Sequence, residues 1–379
     1  MKKLNSAIAG FFVLFILTTA CKKEMKPGGL PSLENNTMAA KPKPAAPATK
    51  SLFYKGLLNP RGLKFGPDGA LYVAEAGPGG TQSTVGICPQ IQVAPPLGPF
   101  LGSRTGGRVS RIDMAGNRTT ITDQLPSSVD ALQPNPSIMG PADVAFIGQT
   151  LYILMAGAGC SHGVSDFPNS IVRINSNNST TVIADLGKWL LQNPTAAPAD
   201  DFEPEGVWYS MVTKGNEFYT VDPNQGMFVK VGLDGTITKI ADISASEGHI
   251  VPTALAYKGN YYLGNLGTFP ITGQSVVLKI TPSGNIQEVA SGFSAILGLV
   301  IDQQSRIYVL EMTSGAPFPS PGAGRIVRIN QNGSKELITD GLSFPTAMTM
   351  GADGNLYVSN FGLGAPPGFG EIVKVTLNN

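Results

Sequence analysis

Asn59 to Gly77, NPRGLKFGPDGALYVAEAG, constrains this chain more than any other stretch, because variants of it return five more times. Within it, Gly62-Leu63-Lys64-Phe65 is a short apolar run, Pro67-Asp68-Gly69 a tight-turn sequence, and Leu71-Tyr72-Val73-Ala74 a second run rich in β-formers. Two such runs flanking a turn predict a β-hairpin. After a loop, Arg108 to Asp113, the turn Ala115-Gly116-Asn117 and Arg118 to Thr122 alternate apolar with polar, as half-buried strands do. One repeat is therefore four antiparallel strands, a to d.

The second copy starts at Pro141-Ala142-Asp143 and the third at Pro204-Glu205-Gly206-Val207-Trp208-Tyr209. Copies four and five are anchored by Pro252 with Tyr261-Tyr262-Leu263, and by Leu297-Gly298-Leu299 with Ile307-Tyr308-Val309. The sixth runs from Phe344-Pro345-Thr346 to a third strand at Glu371 to Val375, and there its strands end. Ser51 to Leu57, ahead of copy one, is an unassigned strand-like segment that can supply the missing fourth strand. A fixed period of four-stranded units closed on itself, leaving few exposed edges, predicts an all-β, six-bladed β-propeller closed by pairing of its N- and C-terminal strands.

Residues 1–20 carry Lys2 and Lys3, an apolar core from Ala7 to Leu17 and then Thr18-Thr19-Ala20 before Cys21. The apolar run is too short for an ordinary membrane span and fits a signal peptide. Small residues directly before a cysteine resemble the bacterial lipoprotein signal, which leaves that cysteine N-terminal and lipidated; the alternative is an ordinary secretory signal with an incidental cysteine. The expected partner is then a lipid bilayer, reached through acyl chains on Cys21, with the protein exported and anchored in the cell envelope at the outer membrane or cell surface. Residues 21–50, rich in Pro, Ala and Lys, read as a disordered tether, and 51–379 as the propeller. Eight of the 27 basic residues and two of the 26 acids precede Ser51, which leaves the propeller a formal charge of about −5. With no basic patch in the sequence, nucleic acid is not an expected partner.

Long connections fall between strands b and c: Gly77 to Gly107, Gly157 to Asn169, Thr313 to Gly324 and Phe361 to Gly370. They share one face with the d-to-a connections Gln124 to Gly140 and Gly187 to Glu203, and that loop-rich face is where function is expected. Cys88 and Cys160 lie in two of these insertions, and in an exported protein they are expected to pair. Two free thiols, or a metal site with His162, are the alternatives. His162 and His249 are the only histidines, and no GxSxG sequence is present, which disfavours a Ser-His-Asp hydrolase.

Aligning the six b strands places Glu75, Met155, Asp222, Asn265, Glu311 and Asn360 at one equivalent position, just below the loop face. Asp143 and Glu205 lie near the start of strand a and could add oxygen ligands, and Arg61 could face the channel as an anion ligand. Hard oxygen donors of this kind suit Ca²⁺ or Mg²⁺. The competing reading is that such residues accept hydrogen bonds from loop amides, an ordinary turn-forming role. Small residues along strand a, namely Gly62, Gly206, Ala254, Gly298 and Ala347, permit close approach at the axis.

The motif from Gly62 to Glu75, with the Gly-Arg-Val/Ile-x-Arg-Ile runs at Gly107 to Ile112 and Gly324 to Ile329, resembles the NHL and SMP-30/gluconolactonase-like six-bladed propellers. The Gly/Pro-rich insertion after Glu75 with its cysteine, and the uneven blades, resemble more closely the ScyD/ScyE family of exported propellers. That resemblance covers Leu52 to Asn379 and implies the fold and export. From the gluconolactonase-like relatives a divalent-metal site of Glu, Asn and Asp is implied, with Glu205, Asp222 and Asn265 or Asn360 as matching positions. Two functions follow as expectations. One is a tethered scaffold that binds a small molecule, glycan or protein on the loop face; the other is a metal-dependent hydrolase of a lactone or similar ester.

Overall fold

The computed structural model describes residues 48–88, 99–130, 136–271 and 273–378; the expected signal peptide, Cys21 and nearly all of the expected tether lie outside the described residues. The first strand, β1 (Thr49–Leu57), begins two residues before the expected propeller boundary. Blade 1 follows with β2 (Pro60–Phe65), β3 (Leu71–Glu75), β4 (Leu101–Ile112), β5 (Arg118–Val129) and β6 (Ile138–Met139). Blade 2 has β7 (Pro141–Ile147), β8 (Thr150–Met155), β9 (Ser170–Ile174) and β10 (Thr180–Asp185), and a short helix α1 (Leu186–Gln192) leads on. Blade 3 has β11 (Ser210–Lys214), β12 (Glu217–Asp222), β13 (Met227–Gly232) and β14 (Ile237–Asp242), followed by α2 (Ile243–Glu247). Blade 4 is β15 (Pro252–Lys258), β16 (Asn260–Asn265), β17 (Ser275–Ile280) and β18 (Ile286–Phe293). Blade 5 is β19 (Ile296–Ile301), β20 (Ile307–Glu311), β21 (Gly324–Ile329) and β22 (Lys335–Leu342). In the sixth, β23 (Ala347–Met350), β24 (Leu356–Asn360) and β25 (Gly370–Thr376) take β1 as their outer strand, in the sheet order β1-β25-β24-β23.

The innermost strands touch in the order β2, β7, β11, β15, β19, β23 and back to β2, which closes the ring. Closure rests on the pairing of β1 with β25, from Thr49 opposite Thr376 to Leu57 opposite Gly370. The core lies between blades. Trp208, Phe218 and Val229 of blade 3 pack on Leu154 and Ile171 of blade 2, while Val221 and Phe228 on the other side pack on Tyr261 and Leu263 of blade 4. Strand alternation sends successive side chains into successive interfaces, which is why the strands read as nearly continuous apolar runs.

The recurring Asp-Gly…Tyr pattern has a local cause. Asp68, Asp234 and Asp353 each accept a hydrogen bond from the backbone two residues on, at 3.2, 3.0 and 3.1 Å. The glycines that follow take φ of 77°, 82° and 74°, a region costly for a residue with a Cβ. In blades 1 and 6 the same carboxylate also accepts from the tyrosine four residues later, Tyr72 at 3.2 Å and Tyr357 at 3.0 Å. The turn and the following strand are thus fixed together.

Two expectations are corrected. In blade 1 the insertion is not loop throughout: β4 and β5 extend past the blade as a hairpin, with Leu101 opposite Val129, and β6 adds a fifth strand beside them. In blade 3, Pro204 to Tyr209 is not strand a. The two-residue turn Gly215-Asn216 pairs Lys214 with Glu217, so the register counted back from it puts Ser210 opposite Val221. Residues 204–209 instead lead into β11 without strand structure, with Gly206 at φ 70° and Trp208 fully buried in the core shared with blade 2. Tyr209 therefore takes the place expected for Glu205, and Ser210 that expected for Gly206.

Candidate functional site

By register, Gly62, Asp143, Ser210, Ala254, Gly298 and Ala347 form one ring around the axis. They line a cavity of about 20 Å³, room for about one water molecule. Asp143 fills the space that Gly62 leaves; a Cβ on Gly62 would stand 2.0 Å from Asp143 Oδ1. Asp143 accepts from the Met211 amide at 2.8 Å and from the Val144 amide at 2.9 Å, and burial raises its pKa. One residue nearer the loop face, Arg61 donates to the Ile138 carbonyl at 2.5 Å and bonds the Tyr209 hydroxyl. Tyr209 in turn donates to the Thr346 carbonyl at 2.8 Å. Burial lowers the Arg61 pKa and pushes that of Tyr209 up to about 12. Blades 1, 3 and 6 are thus tied across the axis, and the Arg61 guanidinium is engaged in that tie.

The residues at the tops of the b strands do occupy equivalent buried positions, and all but Met155 join the segment entering strand a to strand c or the b-to-c turn of their own blade. Glu75 accepts from the Leu58 amide at 2.6 Å, from Arg108 Nε at 2.9 Å, and from Arg108 Nη2 and Ser110 Oγ. Glu311 repeats this with the Ser294 amide at 2.7 Å and both Nε and Nη2 of Arg325. Asn360 accepts from the Ser343 amide at 2.8 Å and donates to Glu371 at 3.2 Å. Asn265 donates to the Ile250 carbonyl and accepts from the Val276 amide. Asp222 accepts from the amides of Val207 and Gln225, both at 2.6 Å, and burial pushes its pKa up to about 6. Met155, at the blade 2 position, packs into the core. Among the described residues, no three His, Cys, Asp or Glu side chains are grouped to hold a metal ion.

A second cluster lies on the loop face between blades 2 and 3. The Cys88–Cys160 disulfide joins the insertions of blades 1 and 2, with Cα atoms 6.2 Å apart. Cys160 opens a single 3-10 turn, Cys160–His162, whose Ser161 donates from both its amide (2.7 Å) and its hydroxyl (2.8 Å) to Glu205 Oε2. Glu205 therefore stitches blade 2 to blade 3. His162 is fully buried under Phe100, with ring centroids 4.7 Å apart. Its Nδ1 is 3.3 Å from Ser161 Oγ and its Nε2 3.6 Å from Glu203 Oε2. Serine, histidine and glutamate here do not form an activated nucleophile, because the Ser161 proton is held by Glu205 and the hydroxyl is buried. His249 pairs with Asp201 at 3.3 Å, and the contact raises the His249 pKa and lowers that of Asp201. The sequence reading missed Glu203; the acid-rich run Asp200-Asp201-Phe202-Glu203 ahead of Pro204 was the available signal.

The pair gives a pH-dependent prediction. Burial lowers the His162 pKa to about 4, so its contribution to stability is complete above its ordinary value near 6.5 and is lost as pH falls through about 4. Burial, with repulsion from Asp222, Asp201 and Asp130, raises the Glu203 pKa well above the usual range, so its contribution has the opposite sign and is lost as pH rises. Metal-free Glu203→Gln is expected to lose more stability than wild type between pH 7 and pH 4, by up to on the order of 3 kcal/mol, and His162→Asn less. Urea unfolding at the two pH values measures this; equal pH slopes in the three proteins would refute it.

The same face carries exposed apolar side chains. Phe269 and Phe318, in the b-to-c loops of blades 4 and 5, are 48% and 59% exposed and stack with centroids 5.9 Å apart. Their loops are joined by the Ile271 amide bonding the Pro317 carbonyl at 2.8 Å. Phe369 in blade 6 and Val85 and Ile87 in blade 1 are exposed on loops of the same kind.

No family model matches the chain, and no curated protein matches it. Solved structures do. A structural genomics protein of unknown function from Bacteroides thetaiotaomicron aligns over 88% of this chain and 76% of its own, with a TM-score of 0.55 and 12% identity. A luciferin-regenerating enzyme aligns over 87% and 95%, with a TM-score of 0.53 and 10% identity. A gluconolactonase-like protein aligns over 87% and 92%, with a TM-score of 0.50 and 11% identity. What they share with this chain is the propeller fold. At these identities the likeness carries no activity across.

Proposed function

We propose that this chain is an exported, lipid-anchored β-propeller that recognises its ligand through the loop-rich face. The observation that carries the reading is the concentration of exposed aromatic side chains on b-to-c loops, above all the stacked pair Phe269 and Phe318. Solvent-exposed phenylalanines held in fixed register on one face favour a partner with an apolar surface, whether a small molecule, a glycan ring or a protein. The disulfide between two insertions supports maturation in an oxidising compartment, in keeping with the leader, the Thr-Thr-Ala-Cys sequence at Cys21 and the resemblance to exported ScyD/ScyE propellers. The alternative, a metal-dependent hydrolase of the gluconolactonase type, has support from the fold alone, since the oxygen-bearing side chains at the tops of the b strands are each bonded within their own blade.

Both halves of the reading are testable in the full chain. Labelling with an alkyne-bearing palmitate analogue in a Gram-negative host is expected to tag the wild type and not Cys21→Ser, which should move to the soluble fraction. Phe269→Ser with Phe318→Ser should keep the wild-type melting temperature and lose at least tenfold in affinity for whatever envelope component or glycan-array ligand the wild type retains. Unchanged binding in the double variant would refute the aromatic face as the recognition surface.

A further inference from the structure

Seven buried side-chain polar atoms lack a hydrogen-bond partner among the described residues, and three of them belong to the blade 2/blade 3 cluster: His162 Nε2, Glu203 Oε2 and Gln225 Oε1. Gln225 is held there by its own Nε2, which donates to the Glu203 carbonyl at 2.9 Å. We propose that His162 Nε2 and Glu203 Oε2, with Gln225 as a further oxygen donor, bind a divalent first-row transition-metal ion on the loop face. The deciding quantity is the 3.6 Å between His162 Nε2 and Glu203 Oε2. It exceeds the roughly 2.7–3.2 Å of a direct hydrogen bond. It also falls short of the roughly 4.5 Å that two ordinary hydrogen bonds to one bridging water span at a tetrahedral angle. Two donors of one tetrahedral metal ion, each about 2.0–2.1 Å from it, stand about 3.3–3.4 Å apart, which a small side-chain adjustment reaches.

Three further features fit. Ser161 Oγ gives its proton to Glu205, so toward His162 Nδ1, 3.3 Å away, it acts as acceptor and the ring proton sits on Nδ1; Nε2 then carries the lone pair, the form in which imidazole ligates. The carboxylates of Asp222, Asp201 and Asp130 all repel Glu203, and among the described residues no lysine or arginine offsets them at this carboxylate; a bound dication would. The Glu203 side chain is 13% exposed, which leaves a route in from solvent. A set of one imidazole and two oxygens favours Zn²⁺, Co²⁺ or Mn²⁺ over Ca²⁺ and Mg²⁺, whose preferred ligands are oxygens alone. The disulfide-joined insertions and the Ser161–Glu205 bonds place the imidazole, which gives that stitching a role beyond restraining loops.

The test is titration of the chelator-stripped full chain with Zn²⁺, Co²⁺, Mg²⁺ and Ca²⁺, followed by calorimetry and, for Co²⁺, by visible d–d absorption. Zn²⁺ and Co²⁺ are expected to bind at one equivalent, with at least tenfold weaker binding in Glu203→Gln and in His162→Asn and none of that loss in His249→Asn. X-ray absorption of the wild-type zinc form is expected to show an imidazole ligand, which keeps the proposal falsifiable if a variant does not fold. Absence of Zn²⁺ and Co²⁺ binding, a response to Ca²⁺ or Mg²⁺ alone, affinity unchanged in both variants, or a zinc shell without imidazole would each overturn it.

Discussion

A chain lacking residues 49–57 is expected to lose about 5 kcal/mol of stability and to leave the monomeric fraction on gel filtration. That strand is the outer member of blade 6, and its removal bares the whole hydrogen-bonding edge of β25. It also takes away the packing of Leu57, fully buried, and of the half-buried Phe53 and Tyr54, against Tyr357 and Ile372. At about 1.5–3 kcal/mol per fully buried apolar side chain, those three residues alone supply the estimate. An unpaired central-type edge is a template for other chains, so self-association should accompany the loss. A peptide spanning residues 48–58 is expected to restore the monomer when added during refolding. A deletion variant that remains monomeric with an unchanged urea midpoint would show that closure lies elsewhere.

Glu75→Ala is expected to destabilise by about 3–5 kcal/mol, and Glu75→Gln by less. The carboxylate is fully buried and receives four donors from the Leu58 amide, Arg108 and Ser110. Truncation strands the Arg108 guanidinium, whose side chain is 14% exposed, beside unpaired donors, and breaking a buried pair from one side is far more damaging than never having formed it. Glu311→Ala, with the equivalent amide and arginine in blade 5 but no hydroxyl, should destabilise in the same way, and because the two sites are separate the effects should add. Urea unfolding measures both. A loss below about 1 kcal/mol at Glu75 would mean that the carboxylate contributes no net stabilisation as a tie, and would reopen its reading as a ligand.

Much of the fold was legible because its causes are local. Asp-Gly turns, the tyrosine that bonds back to the turn, and the missing fourth strand of copy six are all written within a few residues of one another. Blade 3 was misread because Pro204-Glu205-Gly206 imitates the start of a strand, while the true register is set by Gly215-Asn216 further on. At the candidate site, alignment found the right equivalent positions, from Glu75 to Asn360, but spacing alone could not tell a ring of ligands from five separate ties and a core methionine. The bonds that distinguish them reach to loop amides such as Leu58, Ser294 and Ser343. The His162–Glu203 pair was less legible still, since 41 positions and a blade boundary separate its members.

The pairing of Thr49 with Thr376 places both ends of the described propeller on the face of the short turns, opposite the exposed phenylalanines. A load that draws those two ends apart would fall first on that one rung and then on each successive rung toward Leu57. Hydrogen bonds taken one at a time resist far less than a set sheared together. Under such a load the propeller peels open from that edge, so its mechanical strength is that of single β1–β25 rungs in sequence, whatever its thermal stability.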